Sequence, residues 1–354
     1  MGDASRVRVH AGMPEAVGSS AVAGRVILAA MNRVRRRLLL LVGLAFLSAV
    51  MLLRPLRPQG LTSHPRPART YDEALERLGV LQAEDGTAVA SECGTLVLTH
   101  GAPTGRVVVL LHGLTNCPAQ FDSLARMLYA TGANVIVPRL PQHGLADHMT
   151  TALARSDARE LAAFTDRVVD AAQGLGDSVT VGGLSIGGVM AAWAGQERTD
   201  VDRAVAIAPL FGVTRAPGMW TPLVTRLTLV LPNLFIWWDD AKKQDLPGPQ
   251  HVYPRFASRS IAATLLLGGA VQAAAVHTPA GARELVMITV GGDIAADNGQ
   301  CASMVRLWRA HGDREVLTHE FPASLHLNHD VVDPEQIGGN PSLTYPVLLR
   351  YLGR

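Results

Sequence analysis

A serine set between glycines, and the acidic and imidazole side chains that follow it, have the clearest chemical potential in this sequence. Gly183–Gly187 (GLSIG) fits the pattern G-x-S-x-G, in which small residues allow a sharp turn that exposes the serine, here Ser185. A serine hydroxyl is a poor nucleophile at its free pKa, so a histidine must accept its proton and a carboxylate must orient that histidine. The pentapeptide alone is a weak signal, and its surroundings must support it.

Two aspartates follow the serine at the end of a predicted strand. The strand Leu285–Val290 runs into Gly-Gly-Asp293, and open α/β sheets build their sites at the carboxyl ends of strands. Asp293 is therefore the predicted carboxylate. Asp297 is the alternative, although it can instead cap the helix that follows.

Two histidines follow the next predicted strand, Glu315–Glu320, and either His326 or His329 can reach the serine. The order serine, aspartate, histidine along the chain is the one that accompanies a G-x-S-x-G elbow in a strand-turn-helix setting. The sequence thus predicts a nucleophile with a base and a carboxylate downstream of it.

A sheet must bring these residues together, and the chain alternates strands with helices. Arg106–Leu111 (RVVVLL) is typical of a strand buried on both faces of a parallel sheet. Further strands are predicted at Gly94–Thr99, Asn134–Val137, Ser178–Val181 and Arg203–Ala208, and helices at Tyr71–Leu81, Gln120–Ala130, Ser156–Ala172, Ile186–Gln196, Cys301–Ala310 and Leu343–Leu352. The alternation predicts an α/β fold with a mostly parallel central sheet and helices on both faces.

The alternation is interrupted at about residues 212–283. This segment contains seven prolines, an aromatic cluster with Trp237 and Trp238, and the apolar run Ile261–Val276. It is predicted to be an inserted helical lid. The two tryptophans either line an acyl pocket or pack the lid on the sheet.

From about Arg106 to the C-terminus the chain resembles the monoacylglycerol-lipase and carboxylesterase branch of the α/β-hydrolases. The resemblance is carried by Leu111–Thr115 (LHGLT), Pro138–Gly144 (PRLPQHG), the Ser185 elbow with Gly187-Gly188, and His329-Asp330 followed by Asp333-Pro334. It implies the α/β-hydrolase fold and the cleavage of short-chain or monoacylglycerol-like esters. Gln142 departs from the pattern, in which a glycine is usual.

The resemblance also implies which residues form the triad. The histidine of that branch directly precedes an aspartate, which favours His329 over His326. Its carboxylate matches Asp293. The implied triad is therefore Ser185, His329 and Asp293.

The same resemblance implies an oxyanion hole formed by the backbone amides of Leu114 and Ile186, which would bind the negative oxygen of the tetrahedral intermediate. His112 and Gly113, in the loop that precedes Leu114, are expected to contact substrate together with the lid tryptophans. The alternative for His112 and Gly113 is an ordinary turn at the end of a strand.

Composition sets limits on the other functions. A chain of 354 residues can form one large domain, and a net charge of +2 argues against nucleic acid as a partner. The three cysteines are far apart, without CxxC spacing or histidines at ligand spacing, and predict no disulfide framework and no zinc site. No metal or organic cofactor is expected, since the triad chemistry needs none.

The first seventy residues are predicted to tether the domain to a membrane. A basic segment, residues 1–37, ends in four arginines and precedes the charge-free run Leu38–Leu53, and a Pro/Arg-rich stalk, residues 54–70, follows. The run is shorter than the roughly twenty residues of a comfortable span, although Arg54 can snorkel and extend it.

The N-terminal segment lacks a clear small-x-small cleavage site, which favours an uncleaved anchor over a signal peptide that releases a secreted domain. A buried helix of the domain is the other alternative. Met31, just before the basic cluster, is an alternative start to Met1. The α/β-hydrolase domain is then expected to occupy residues 71–354.

Two other functions stay open at this level. The fold does not fix the acyl acceptor, so an acyltransferase or a peptidase can use the same triad. A non-catalytic hydrolase-like binding protein at the membrane is the alternative from a different class. The presence of Ser185, Asp293 and His329 together argues against it, because a binding protein has no physical need for all three.

Overall fold

The structure, a computed structural model, describes residues 18–53, 61–216, 218–312 and 314–354. The chain forms two compact units, Met1–Arg54 and Pro55–Arg354. The expectations for residues 1–17, the start of the basic segment, and for residues 54–60, the start of the stalk, lie outside the described residues.

The first unit contains helix α1 (Gly18–Leu53), which includes the predicted anchor run. The large apolar side chains between Leu38 and Leu47 are each more than half exposed.

The second unit is built on a seven-stranded sheet. Its strands are β1 (Leu96–Leu98), β2 (Val107–Leu111), β3 (Asn134–Val137), β4 (Val179–Leu184), β5 (Arg203–Ile207), β8 (Glu284–Val290) and β9 (Glu315–Phe321), in the order β1-β3-β2-β4-β5-β8-β9. All neighbours pair in parallel except β1, which is antiparallel to β3. The predicted mostly parallel sheet is confirmed.

Helices cover both faces of the sheet. The helices described in this unit are α2 (Tyr71–Ala83), α3 (Asp122–Ala130), α4 (Ala158–Ala172), α5 (Ile186–Glu197), α6 (Thr221–Val230), which packs on α7, α7 (Ser258–His277), α8 (Asn298–Ala310) and α9 (Pro341–Leu352). Successive residues of a strand point to opposite faces. In β2, Val107 and Val109 therefore join the core formed with α4, α5 and α7, while Val108 and Leu110 join the core formed with α3 and α9.

The interruption of the pattern corresponds to an insertion between β5 and β8. It contains α6, α7 and a two-stranded antiparallel ribbon of β6 (Phe235–Trp237) and β7 (Arg255–Ala257). Its action as a lid stays a prediction. Among the described residues, α7 is long and apolar enough by length and composition to cross a membrane, but half of its apolar window is buried inside the domain, as in a core helix.

The expectation that the cysteines form no disulfide is wrong. Cys93 and Cys117 are bonded, with their Cα atoms 5.2 Å apart. The short turns Ser91–Cys93 and Pro118–Phe121 pack against each other and bring the two thiols together, although the sequence between them carries no pairing signal. Cys301 is free and buried.

Candidate active site

Ser185 occupies the turn between β4 and α5. Its backbone has φ 59° and ψ −111°, a conformation that residues other than glycine rarely adopt and that must be held by its surroundings. A Cβ at Gly183 would lie 2.2 Å from the carbonyl oxygen of Gly187, and a Cβ at Gly187 would lie 2.0 Å from that of Leu111. The Ser185 amide donates to the carbonyl of Ile207 at 2.9 Å, which ties the turn to β5. The glycines of the motif are thus required by close backbone packing.

His329 and Asp293 meet although they belong to different loops. Nδ1 of His329 lies 2.6 Å from Oδ2 of Asp293, and the Asp293 side chain is fully buried while that of His329 is 18% exposed. The other Asp293 oxygen accepts from the amides of Ala295 at 2.7 Å and Ala296 at 3.0 Å. Because the Asp293 carboxylate accepts at Nδ1, that nitrogen must carry the proton of the neutral ring. Nε2 is then unprotonated and can accept a proton from another group.

The charge of Asp293 is favoured by its partners. Burial opposes ionisation, but the hydrogen bond and charge of His329 and the two backbone amides together hold the pKa of Asp293 below its usual value. The geometry therefore brings an ionised carboxylate and an oriented imidazole together.

The two alternatives, Asp297 and His326, are placed differently. Asp297 caps α8, with its Oδ1 accepting from the Gly299 amide at 2.8 Å. His326 is exposed and adopts a left-handed backbone conformation, φ 49°, after the short turn Ala323–Leu325. The structure thus gives Asp297 the capping role that the sequence left open.

The loop after β2 holds Leu114. The Gly113 amide donates to Oε1 of Gln120 at 2.7 Å, and the Asn116 amide donates to the Gly113 carbonyl at 3.2 Å. The Gly113 amide is therefore already hydrogen bonded within the protein. Ile186 is the first residue of α5, and the first amides of a helix have no acceptor within it. The two residues whose amides the sequence predicts for an oxyanion hole thus lie in the loop after β2 and at the start of α5; their role stays a prediction.

His112 connects this loop to the segment that contains Leu140. It is fully buried, with Nδ1 at 3.0 Å from the Gly113 carbonyl and Nε2 accepting from the Leu140 amide at 3.0 Å. Burial and the neighbouring His143 keep the pKa of His112 well below its usual value, so the ring is neutral and fills both roles. The expectation that His112 contacts substrate is therefore corrected. The His112 side chain has no exposed surface and both of its ring nitrogens are engaged within the protein, so it positions the loop.

The two tryptophans of the insertion differ. Nε1 of Trp238 donates to Oγ1 of Thr115 at 3.0 Å, and the Tyr253 amide donates to the Thr115 carbonyl at 2.9 Å. The insertion is thus hydrogen bonded to the loop of Leu114 at two points. Trp237 lies instead against the guanidinium of Arg255, 5.7 Å from its ring centroid, and packs within the insertion.

Sequence reasoning missed two polar residues near the site. Gln120 bridges the Gly113 amide and the carboxylate of Asp330, and Nε2 of His251 lies 3.0 Å from Oδ2 of Asp333. Asp330 and Asp333 belong to the motif that carried the resemblance. No local sequence pattern around Gln120 or His251 indicated that they pair with these aspartates. Among the described residues, no group of three or more His, Cys, Asp or Glu side chains is arranged to hold a metal ion.

Comparison with known proteins identifies the family and the fold. The sequence pattern of the α/β hydrolase family matches residues 108–337. No curated protein sequence matches the chain.

Solved structures with similar folds include three lipolytic enzymes. A metagenome-derived enzyme of the LipS and LipT pair is 17% identical with a TM-score of 0.53, over 75% of this chain and 98% of its own. A monoacylglycerol lipase of Paleococcus ferrophilus is 16% identical with a TM-score of 0.54, over 73% and 97%. A soluble variant of the monoglyceride lipase of Saccharomyces cerevisiae, solved with a substrate analogue, is 15% identical with a TM-score of 0.54, over 73% and 90%. At these identities the likeness shows the shared fold.

We expect the protein to lose stability as the pH falls from about 7 to about 5. Burial lowers the pKa of His143 to about 4 and that of His112 well below 6.5, whereas both protonate near 6.5 in the unfolded chain. The unfolded state then binds more protons below that pH, so the free energy of unfolding decreases. Urea unfolding at several pH values measures the slope.

The variant His143→Asn serves as the test of this cause. Its amide nitrogen can replace Nδ1 of His143, which lies 2.8 Å from the Pro141 carbonyl, but it does not titrate. The decrease in the free energy of unfolding should be smaller in this variant. An unchanged decrease would show that His143 does not contribute.

Proposed function

The chain belongs to the α/β hydrolase family, and on this premise we propose that it is a serine hydrolase that cleaves carboxylic esters. The observation that carries the proposal is the hydrogen bond between His329 and Asp293, whose loops follow β9 and β8. Ser185 lies after β4 of the same mostly parallel sheet. A nucleophile, a base and an orienting carboxylate are the parts that a serine esterase needs.

The proposed reaction proceeds through an acyl-enzyme. Oγ of Ser185 attacks the ester carbonyl carbon while its proton passes to Nε2 of His329, and Asp293 stabilises the resulting imidazolium. The amides of Leu114 and Ile186 bind the negative oxygen. His329 then gives the proton to the departing alkoxide, and a water molecule releases the acid by the same steps in reverse order. These steps require no metal or organic cofactor.

Short-chain esters and monoacylglycerols are the proposed substrates. Two of the similar structures are monoacylglycerol or monoglyceride lipases, which supports a small ester with an apolar acyl group. Trp238 is 43% exposed and hydrogen bonded to Thr115, the residue after Leu114, so it is the insertion residue proposed to meet the acyl group.

Ser185→Ala should lower hydrolysis of p-nitrophenyl butyrate at least about 1,000-fold, because it removes the nucleophile. Thermal unfolding of the purified variant should stay close to that of the wild type, and a fluorophosphonate probe should label Ser185 in the wild type alone. Retained turnover would contradict the assignment, and a wild type without an adduct would favour a binding protein. Added alcohols or amines that capture the acyl group in preference to water would indicate an acyltransferase.

Asp293→Asn and Asp297→Asn form a matched pair of variants. Asparagine at position 293 carries an NH2 group where aspartate has a second acceptor oxygen. It therefore favours the wrong tautomer of His329, and kcat should fall by up to about 10⁴-fold. Asparagine caps a helix about as well as aspartate, so Asp297→Asn should keep kcat within about twofold. Steady-state kinetics on both variants measure this, and the reverse outcome would make Asp297 the carboxylate.

We also propose that α1 holds the catalytic domain at a membrane. The apolar side chains between Leu38 and Leu47 are more than half exposed, which favours an apolar environment around them. Four arginines precede the run, and such clusters stay on the cytoplasmic side. The domain then faces the opposite side, and the disulfide between Cys93 and Cys117 supports this, since such bonds persist in oxidising compartments.

Counting thiols tests this topology. Cells are quenched with acid, and the protein is denatured and treated with a maleimide polymer. Cys301 is the free thiol beside one disulfide, so one adduct is expected without reductant and three with it. The full-length protein should sediment with membranes, and a truncated protein starting at Thr70 should not. Three adducts without reductant would place the domain in the reducing cytoplasm.

A further inference from the structure

Gln120 and Asp330 form a buried link between the two loops that the proposed reaction uses. Oε1 of Gln120 accepts from the Gly113 amide at 2.7 Å, and its Nε2 donates to Oδ2 of Asp330 at 2.6 Å. Gly113 directly precedes Leu114, and Asp330 directly follows His329. We propose that Gln120 and Asp330 are positioning residues that hold the oxyanion amide and the base at a fixed distance from each other.

Asp330 is held firmly enough to act as one end of such a link. Its Oδ1 accepts from the amides of Val332 at 2.9 Å and Asp333 at 3.0 Å, so its carboxylate receives three N–H groups in all. Burial and the Asp333 carboxylate raise the pKa of Asp330, while the three donors oppose that effect. A carboxylate that meets donors on both oxygens acts purely as an acceptor.

Gln120 is suited to the other end because of its chemistry. It is 2% exposed, and a primary amide carries an acceptor and a donor on one planar group. A glutamate here would present an acceptor to Asp330, whereas a methionine of similar length would present neither group.

The link has a direct consequence for catalysis, and it rests on the proposed function. Donors contribute most when they are already aimed at the position that the oxyanion will occupy. Leu114 is one residue from the amide that Gln120 holds, and His329 is one residue from Asp330. A loosened link should therefore weaken binding of the transition state more than binding of the substrate.

Exchanging the two polar groups tests the link. Gln120→Glu sets two acceptors against each other, and Asp330→Asn sets two donors against each other, so each should lower kcat about 10- to 100-fold with KM little changed. In the double variant, the new amide at position 330 donates to the new carboxylate at position 120, which still accepts from the Gly113 amide. The double variant should recover most of the lost kcat, and affinity for a trifluoromethyl ketone inhibitor should fall and recover in parallel.

Gln196→Glu is the matched control. Gln196 is also a buried glutamine with both ends bonded, its Nε2 to the Thr278 carbonyl at 3.3 Å and its Oε1 to Nε1 of Trp308 at 3.0 Å. It should lose stability while keeping the wild-type kcat of folded protein. If Gln120→Glu behaves in the same way, or if the double variant shows no recovery, the positioning role is overturned.

Two further measurements keep the outcome decisive. If Gln120→Glu does not fold, Gln120→Met provides the same comparison without a buried charge. The proton NMR signal of the His329 Nδ1–H, identified by its loss in Asp293→Asn, reports the base without any turnover. It should shift or broaden in both single variants and return in the double variant. Absence of Ser185-dependent hydrolysis in the wild type would overturn the proposed function alone. The Nδ1–H signal of His329 would still report whether the hydrogen bonds of Gln120 and Asp330 position the base.

Discussion

The site depends on the backbone conformation at Ser185, where β4 must become α5 within one residue. The positive φ there is held because α5 begins in contact with two neighbouring strand ends. Gly187 packs on the Leu111 carbonyl, and a Cβ at Gly188 would lie 2.9 Å from the carbonyl oxygen of Ile207. This packing leaves no room for side chains. It also sets the first amide of α5 beside the loop that follows β2, so the nucleophile and the predicted oxyanion donors are positioned by one constraint.

The loop after β2 is held by its neighbours as well as by its own backbone hydrogen bonds. Gln120 and the ring of His112 fix Gly113, and the disulfide fixes Cys117. The insertion contacts Thr115, a residue with positive φ, through Trp238 and Tyr253. A loop fixed from several sides has already lost its conformational freedom before substrate binds, which is the condition under which backbone amides stabilise an oxyanion well.

The sequence predicted those parts of the structure that depend on local patterns. The strands, the elbow and the aspartate after β8 each follow from a few consecutive residues. Gln120 and Asp330 are 210 residues apart, and His251 and Asp333 are 82 apart, so their pairing depends on packing that no short pattern encodes. The same reason explains the missed disulfide. For His112 the motif correctly indicated the loop beside the site. It does not specify whether the imidazole ring faces the substrate or the interior of the protein, and the ring faces the interior.

Three aspartates around the site share one local device. One oxygen of each accepts backbone amides two or three residues ahead, which only a short side chain can reach, and its other oxygen points to a distant partner. That partner is His329 for Asp293, Gln120 for Asp330 and His251 for Asp333. Each aspartate therefore fixes its own loop and one other segment at once. Of these partners, His329 follows the elbow serine in the chain order that accompanies a G-x-S-x-G turn, and it keeps part of its ring exposed. The same local device therefore occurs at the pair proposed for the chemistry and at two pairs that hold loops in place.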